Sequence, residues 1–371
     1  MNRRAWLTAC AACGATAAGA AAYVHLKTQA PSAAFLENRT PIRLTYDVEL
    51  NAHFRDAVAA ALRKVEVGLT GKLLLPLSHD AMVDPAGERR AIVHLAVLRN
   101  GDVHAIYSNW TAGFSRPISF GSISKVMGLL ALAQSQPHLL NAPWCRRSAF
   151  GFRNADGHRG FASCNPRALF DAEACFAASD NLATLAAFRH LDQAKFGTVL
   201  RDTGVGNVPT DYMPAIAAAF GHLELSPLQA AEMFHALGTG QARRCAITQG
   251  ALAQPSKLAR WTAEVMSEPT RASRVRQILA APVFHALGTA RHLRGELAGA
   301  SMVCAKTGTA VNAQGHVIAK ALALTFTQSS VPWTALALIT SPRPSMPLGN
   351  ELPTSAFAPI HRALLAVTRS P

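Results

Sequence analysis

The segment Phe120-Gly121-Ser122-Ile123-Ser124-Lys125-Val126-Met127-Gly128-Leu129-Leu130 places a serine and a lysine three positions apart at the start of an apolar run. In a helix, positions i and i+3 share one face, so the Ser122 hydroxyl and the Lys125 amine are predicted to be neighbours. Free backbone N–H groups in a first helical turn would favour negative charge near Ser122. A serine beside an amine is a candidate nucleophile and base. Taken alone, Ser-x-x-Lys is common, and a helix start with a solvated lysine is the simpler explanation.

Hydrophobic periodicity predicts how the rest of the chain is organised. A helix over 48–65 is followed by a hairpin, because Asn100-Gly101 separates two apolar segments at 91–98 and 103–107. The pattern from 166 to 266 is helical, with a further helix over 274–287, whereas 141–168 is rich in Gly, Asn and Arg and is predicted to be irregular. Strands over 299–309, 317–327 and 332–340 precede a last helix over 355–367.

This order of elements predicts an α/β (α+β) fold. Strands at the beginning and at the end of the chain would pair into one antiparallel sheet of about five strands, flanked by helices and carrying an inserted all-helical lobe.

Two further motifs change the interpretation of the first one. Ser179-Asp180-Asn181 lies at a junction between two predicted helices, and Lys306-Thr307-Gly308 lies on a predicted strand. Each has an ordinary explanation, since Asp180 could cap a helix and Gly308 could mark a bulge or a close approach. The three motifs nevertheless occur together, in this order, and each in the secondary structure that serine acyl transfer requires.

With these motifs the chain resembles the penicillin-binding transpeptidase family, within the serine β-lactamase and D,D-peptidase superfamily. The likeness covers most of residues 43–368. It includes the start of the first helix at 44–50, the first hairpin at 91–107, and Gly221-His222-Leu223-Glu224-Leu225-Ser226-Pro227-Leu228-Gln229-Ala230-Ala231, which is similar to a G-x-x-x-x-(T/S)-P-L-Q-x-A stretch of the class A members. Those members carry a glycosyltransferase domain upstream, for which too few residues precede Thr45, so a chain without that domain is expected.

The resemblance implies a role for each motif. Ser122 would be the nucleophile, Lys125 its base, and Ser179 the relay of a proton to the leaving amine. Asn181 would orient Lys125 and bind the substrate amide. The pKa of a lysine in an unfolded peptide is about 10.4, so a lysine acts as a base near neutral pH only if this pKa falls, which burial and the second charge of Lys306 would promote.

The same resemblance implies a substrate site along the predicted strand. Lys306, Thr307 and Thr309 would bind the terminal carboxylate of a stem peptide ending in D-Ala-D-Ala, which a β-lactam imitates. The backbone N–H groups of Ser122 and Thr309 would form the oxyanion hole. Asp180 and Gly308 complete the motifs as further substrate-binding positions.

Two departures from the family limit this hypothesis. Where the family often has an Asp-Ala-Trp-Phe-like segment after the strand motif, this chain reads His316-Val317-Ile318-Ala319-Lys320-Ala321-Leu322, which leaves the acceptor side open. A Glu-x-x-Leu-Asn stretch does not occur between Asn181 and Lys306, so efficient β-lactam hydrolysis is not expected. A D,D-carboxypeptidase or endopeptidase, and a non-catalytic β-lactam or wall-fragment sensor or scaffold, remain alternatives to a D,D-transpeptidase.

Composition and charge bound the class of partner. Half of the 371 residues are hydrophobic and 16% are charged, which provides a sizeable core. The net charge of +14 suits an anionic polymer or membrane surface, although an Arg-rich proteome would explain it equally. No basic run with interleaved aromatics occurs, so nucleic acid is not an expected partner. Peptidoglycan stem peptides, β-lactams and a glycosyltransferase or other wall-synthesis protein are the expected ones.

The N-terminus predicts export. Met1-Asn2-Arg3-Arg4 is basic and residues 5–24 carry no charge, so 1–28 is interpreted as a signal peptide or a membrane anchor. Residues 29–42 would be a linker and 43–371 the transpeptidase domain, in the periplasm or on the outer face of the cytoplasmic membrane. Cys145 and Cys164 flank a loop and could form a disulfide or remain free thiols. No CxxC or HExxH occurs beyond the leader, so neither a metal nor another cofactor is expected.

Overall fold

The structure is a computed structural model that describes part of 53–61 and residues 92–108, 114, 116–144, 149–153, 159–163, 171–209, 213–245, 254–312, 315–341, 348 and 357–369. The predicted leader, the linker, Cys145 and Cys164 lie outside the described residues. Within the described part of the chain, no helix is long and apolar enough to cross a bilayer.

A five-stranded antiparallel sheet forms the centre of the fold. Its strands are β1 (Ile92–Arg99), β2 (Asp102–Ser108), β7 (Met302–Val311), β8 (Val317–Gln328) and β9 (Val331–Thr340), in the spatial order β2-β1-β9-β8-β7. β1 pairs with β9, so the first hairpin and the last three strands meet in one sheet, which confirms the predicted closure. The predicted hairpin turn is also present, with positive φ at both Asn100 and Gly101.

Helices cover both faces of this sheet. The helices with described bounds are α1 (Lys125–Ser135), α2 (Ala172–Ala178), α3 (Asn181–Phe188), α4 (Gln193–Asp202), α5 (Pro214–Phe220), α6 (Pro227–Thr239), α7 (Lys257–Val265), α8 (Pro269–Phe284) and α9 (Ala358–Ala366), and the described residues of 53–61 are helical as well. Side chains alternate between the faces of a strand, and the core divides accordingly. Cys304, Ala310 and Ala321 join the core of α1 and the helical lobe, whereas Val303 and Ala305 join a second core with α9.

The structure differs from the sequence prediction at three places. The stretch 141–168 contains a hairpin, β4 (Ala149–Arg153) with β5 (Arg159–Ser163), where an irregular segment was expected. The first turn of the Ser-x-x-Lys helix is a 3₁₀ turn, Gly121–Ser124, and the α-helix begins only at Lys125. A short pair, β3 (Ile118–Ser119) with β6 (Glu224–Leu225), joins this turn to the middle of the chain and has no sequence signature of its own.

Gly128 on α1 tests the packing between this helix and α3. A Cβ at this position would lie 2.2 Å from Cε2 of Phe188. Gly128→Ala is therefore expected to lower the free energy of unfolding by about 1–2 kcal/mol, because so close a contact puts the overpacking cost near the upper end of its range of about 1–3 kcal/mol, and the helix-propensity gain of about 1 kcal/mol offsets only part of it. Urea unfolding measures the change, with Gly295→Ala as the control, since nothing lies within 4 Å of a Cβ there. Equal stability of the two variants would contradict this packing.

Candidate active site

The Ser122 turn lies against the free edge of the sheet. Ser122 is half-buried within the 3₁₀ turn, and among the described residues its hydroxyl has no hydrogen-bond partner. Gly121 adopts φ +58°, and a Cβ there would lie 2.2 Å from the carbonyl oxygen of Thr309. On β7, a Cβ at Gly308 would lie 1.9 Å from the carbonyl oxygen of Phe120. Glycine is needed at both positions because the two backbones approach this closely.

Lys125 is held by the second motif. It is fully buried at the start of α1, and its Nζ donates to the Ser179 carbonyl oxygen and to Asn181 Oδ1, both at 2.6 Å. Ser179 Oγ lies at 3.4 Å from the same Nζ. The structure therefore brings Lys125 together with Ser179 and Asn181, although these residues lie more than fifty positions apart in the sequence.

The serine of the second motif, Ser179, itself adopts a left-handed backbone conformation. Ser179 ends α2 with φ 57° and ψ 36°, a conformation that non-glycine residues rarely adopt and that costs about 1–3 kcal/mol. Asp180 then begins α3, and its Oδ1 accepts from the backbone N–H of Ala183 at 2.7 Å. The structure thus places the Asp180 carboxylate in a helix cap, and no described hydrogen bond joins its side chain to the predicted substrate-binding groups.

The third motif supplies a second buried amine. Lys306 lies on β7 with none of its surface exposed, and its Nζ donates to Ser179 Oγ at 2.6 Å and to the Thr307 carbonyl oxygen at 3.0 Å. The Ser179 hydroxyl consequently lies between two amines, at 2.6 Å from Lys306 and 3.4 Å from Lys125. This hydroxyl is positioned to pass a proton between the two sides of the cluster.

Burial sets the protonation of both amines. Desolvation lowers the pKa of Lys125 to about 8, and the nearby Asp180 carboxylate opposes this shift. Desolvation lowers the pKa of Lys306 well below its usual range, and the Lys125 ammonium lowers it further. With a pKa of about 8, roughly one Lys125 side chain in ten is neutral at pH 7 and about half are neutral at pH 8, so a neutral amine is available as a base.

Two hydroxyls on β7 extend the site along the free edge of the strand. Thr307 Oγ1 lies 2.6 Å from Thr289 Oγ1, and Thr309 Oγ1 accepts from Lys320 Nζ at 2.9 Å. A Cβ at Gly121 would lie within 2.7 Å of the carbonyl carbon and oxygen of Thr309 and of the Ala310 nitrogen, so the backbone of β7 at Thr309 runs directly beside the Ser122 turn.

Sequence reasoning missed two residues of this site. Thr289 follows α8 and reaches Thr307 only through tertiary packing, and nothing in its local sequence marks it. Lys320 belongs to the segment that departs from the family pattern, and its place opposite Thr309 in the β7–β8 register gives it a site position.

The remaining polar groups do not suggest a second centre. Among the described residues, no group of three or more His, Cys, Asp or Glu side chains could hold a metal ion. Cys175, Cys245 and Cys304 are buried free thiols, and Cys175 Sγ lies 3.1 Å from Thr184 Oγ1 beneath the Ser179 turn. Burial raises the pKa of the Cys175 thiol to about 12, which makes it unreactive.

Comparison with known proteins gives the fold. No family profile matches the sequence of the chain, and no curated protein does. The transpeptidase domain of Burkholderia pseudomallei penicillin-binding protein 3 is similar in structure, with a TM-score of 0.56 and 16% identity over 89% of this chain and 97% of that one. Penicillin-binding protein 1A from Haemophilus influenzae gives a TM-score of 0.62 at 13% identity, covering 89% and 67%. PonA1 from Mycobacterium tuberculosis gives 0.57 at 14%, covering 93% and 88%.

Proposed function

We propose that this chain, which has the fold of penicillin-binding transpeptidase domains, is a serine D,D-transpeptidase that cross-links peptidoglycan stem peptides and is acylated by penicillin. One observation carries the proposal. The Ser179 hydroxyl lies between the buried amines of Lys125 and Lys306, in a cluster that begins three residues after Ser122. Such an arrangement serves a nucleophile that must lose a proton and a leaving group that must gain one.

Acylation would proceed through Ser122. Its Oγ attacks the carbonyl carbon of the penultimate D-Ala while its proton passes to the neutral amine of Lys125. The resulting oxyanion accepts hydrogen bonds from the backbone N–H groups of Ser122 and Thr309. The C–N bond then breaks, and the departing D-Ala takes its proton from Lys125 through the Ser179 hydroxyl.

Deacylation would reverse these steps with a different amine. The acceptor amine attacks the ester carbonyl, passes its proton to the same cluster, and Ser122 Oγ leaves with a proton returned from Lys125. The products are a new amide and the free enzyme. A β-lactam would follow only the first half, because its leaving amine stays attached to the acyl group and blocks the acceptor.

The cellular setting of the proposal comes from the sequence. The uncharged segment 5–24 after a basic start supports export to the periplasm or the outer face of the cytoplasmic membrane, with either cleavage or retention as an anchor. A glycosyltransferase or another wall-synthesis protein is the proposed partner.

Product analysis tests the proposal against its alternatives. The purified full chain is incubated with an acylated peptide ending in D-Ala-D-Ala, with and without an amine acceptor, and the products are separated by mass spectrometry. A transpeptidase yields the new amide, whereas a carboxypeptidase yields the hydrolysed peptide alone in both reactions. A long-lived penicillin adduct without turnover of the peptide would indicate a sensor. If neither an adduct nor a product forms, the catalytic proposal is wrong.

The pH dependence of acylation follows from Lys125. Its pKa is lowered to about 8, and the base is the neutral form, so acylation by penicillin is expected to rise with pH and to level off above about pH 8. Below about pH 7 the slope is roughly tenfold per pH unit, as for any reaction that needs one deprotonated amine. Stopped-flow acylation rates from pH 6 to 9 measure this dependence. Lys195→Met removes an exposed lysine of α4 and is the control, which should show the same pH profile as the wild type. A flat profile in a protein that stays folded would contradict the role of Lys125.

A further inference from the structure

Lys320 is a buried cation beside the substrate-binding strand. It lies on β8 directly opposite Thr309, and its Nζ donates to Thr309 Oγ1 at 2.9 Å. Only 9% of the residue is exposed. Lysine side chains are seldom buried to this extent without a partner, so the position needs an explanation.

The charge of Lys320 is not compensated within the described part of the chain. A lysine ammonium has three N–H donors, and Thr309 Oγ1 takes one of them. No carboxylate among the described residues forms an ion pair with Lys320. Burial lowers its pKa, as expected for a cation that lacks a counter-ion. An anion that binds here would therefore contact the Lys320 ammonium, two of whose N–H donors have no partner among the described residues.

The other amine on this edge is already engaged. Side chains alternate along β7, so Lys306 shares a face with Cys304 and points into the helical lobe, where it donates to Ser179. Thr307 and Thr309 share the opposite face, which is also the face of Lys320. Lys306 thus serves the proton relay, and Lys320 is the amine on the side of the two threonine hydroxyls.

The hydroxyls are also oriented for an anion. Because Thr309 Oγ1 accepts from Lys320, its own O–H hydrogen is left to donate elsewhere. Thr307 Oγ1 is held at 2.6 Å by Thr289 Oγ1, which fixes its place on the same edge. Two positioned hydroxyls and an ammonium form a site suited to a carboxylate.

We propose that Lys320 binds the terminal carboxylate of the substrate together with Thr307 and Thr309, and that it restricts the enzyme to acyl peptides with a free carboxylate next to the scissile bond. This inference rests on the proposed function and adds a specificity-determining residue to it. A substrate or inhibitor whose carboxylate is blocked as an amide or an ester would lose the contact with Lys320.

Reversible binding tests this proposal without the chemical step. The full chain carrying Ser122→Ala is titrated with an acetylated peptide ending in D-Ala-D-Ala and with its C-terminal amide, and the Kd values are obtained by calorimetry. The free carboxylate is expected to bind roughly tenfold to hundredfold more tightly than the amide, as for a charge-assisted hydrogen bond. Adding Lys320→Met should remove this preference, whereas Lys320→Arg should keep most of it.

Control variants show whether the lost preference for a free carboxylate is specific to Lys320. Lys257→Met removes an exposed lysine on α7 and should leave the preference unchanged. Thermal unfolding shows whether Lys320→Met is folded, and Thr309→Val offers a second variant that removes the hydroxyl next to Lys320 and should also reduce the preference. An unchanged preference in folded Lys320→Met would overturn the proposal.

The failure of this inference differs from the failure of the proposed function. If the wild-type protein is acylated by penicillin but Lys320→Met keeps the preference for a carboxylate, only the role of Lys320 is wrong. If the Lys320-dependent preference is observed but Ser122 is never acylated, the anion site stands and the transpeptidase proposal is wrong.

Discussion

Ser122→Ala is expected to abolish covalent labelling by a fluorescent penicillin, with the acylation rate falling by at least about 10⁴-fold, since removing the nucleophile of an acyl-transfer enzyme has effects of this order. The loss would be chemical rather than structural. Among the described residues the Ser122 hydroxyl has no hydrogen-bond partner, so alanine leaves the 3₁₀ turn with its backbone contacts intact. The free energy of unfolding should change by less than about 0.5 kcal/mol.

Fluorescence on a denaturing gel and the mass of the intact protein measure the adduct. Ser135→Ala is the matched control, because it removes a hydroxyl at the other end of α1 that donates to the Ala131 carbonyl oxygen at 2.7 Å. That variant should label like the wild type. An adduct that persists in Ser122→Ala would assign the nucleophile to another residue.

The neighbouring serine is a poor candidate for that role. Ser124 is buried, and its hydroxyl donates to the carbonyl oxygens of Gly121 at 2.9 Å and Ala218 at 2.8 Å. The first bond closes the turn on itself, and the second holds the turn to α5. Ser124 is therefore buried with its hydroxyl engaged, whereas Ser122 is half-buried at the edge of β7.

The sequence predicts those parts of the fold that rest on local signals. Asn100-Gly101 predicts its hairpin because a type I′ turn needs positive φ at both positions, which these residues tolerate. The change from helical to strand-like periodicity near residue 300 predicts β7, β8 and β9 because the two periods differ clearly. Pairing of β1 with β9 follows from the order of the elements.

Other parts depend on contacts that no local pattern encodes. The left-handed conformation of Ser179 is imposed by the junction of α2 and α3, and serine carries no preference for it. In the sequence, Gly121 and Gly308 resemble ordinary loop and strand glycines, and only the structure shows that the backbone of the Ser122 turn and the backbone of β7 approach each other at these positions. The hairpin formed by β4 and β5 is hidden because each strand has only five residues, and a glycine in each interrupts the strand signal of its phenylalanines.

The residues of the candidate site divide in the same way, into those that a local sequence pattern identifies and those that only tertiary contacts bring together. Ser122 and Lys125 are neighbours in sequence, so a pattern search finds them together. The other groups around Ser179 come from α3 and β7, and only the order of the motifs along the chain suggested that they would meet. Lys320 enters the site through the register of β8 against β7, which sequence periodicity does not fix to a single residue.

Lys125→Met is expected to lower the acylation rate by roughly 10²–10⁴-fold, which is the usual contribution of a general base. The stability of the variant should stay close to that of the wild type. Methionine fills a similar volume and removes a buried amine whose desolvation is the main cause of its lowered pKa of about 8. The Ser179 carbonyl oxygen and Asn181 Oδ1 each lose a donor, at a cost of about 1–3 kcal/mol that opposes this gain.

A comparison of acylation rate with stability distinguishes a catalytic base at Lys125 from a purely structural residue. Acylation rates and Tm are measured side by side on Lys125→Met and on Lys195→Met, an exposed lysine of α4 that should affect neither quantity. A base predicts a large loss of rate with a Tm change of a few degrees. It also predicts that the residual activity loses the rise with pH below about pH 8, because the titrating amine is gone. A fall in rate that follows the fall in Tm, with the pH profile preserved, would instead make Lys125 a residue that only holds the Ser179 turn in place.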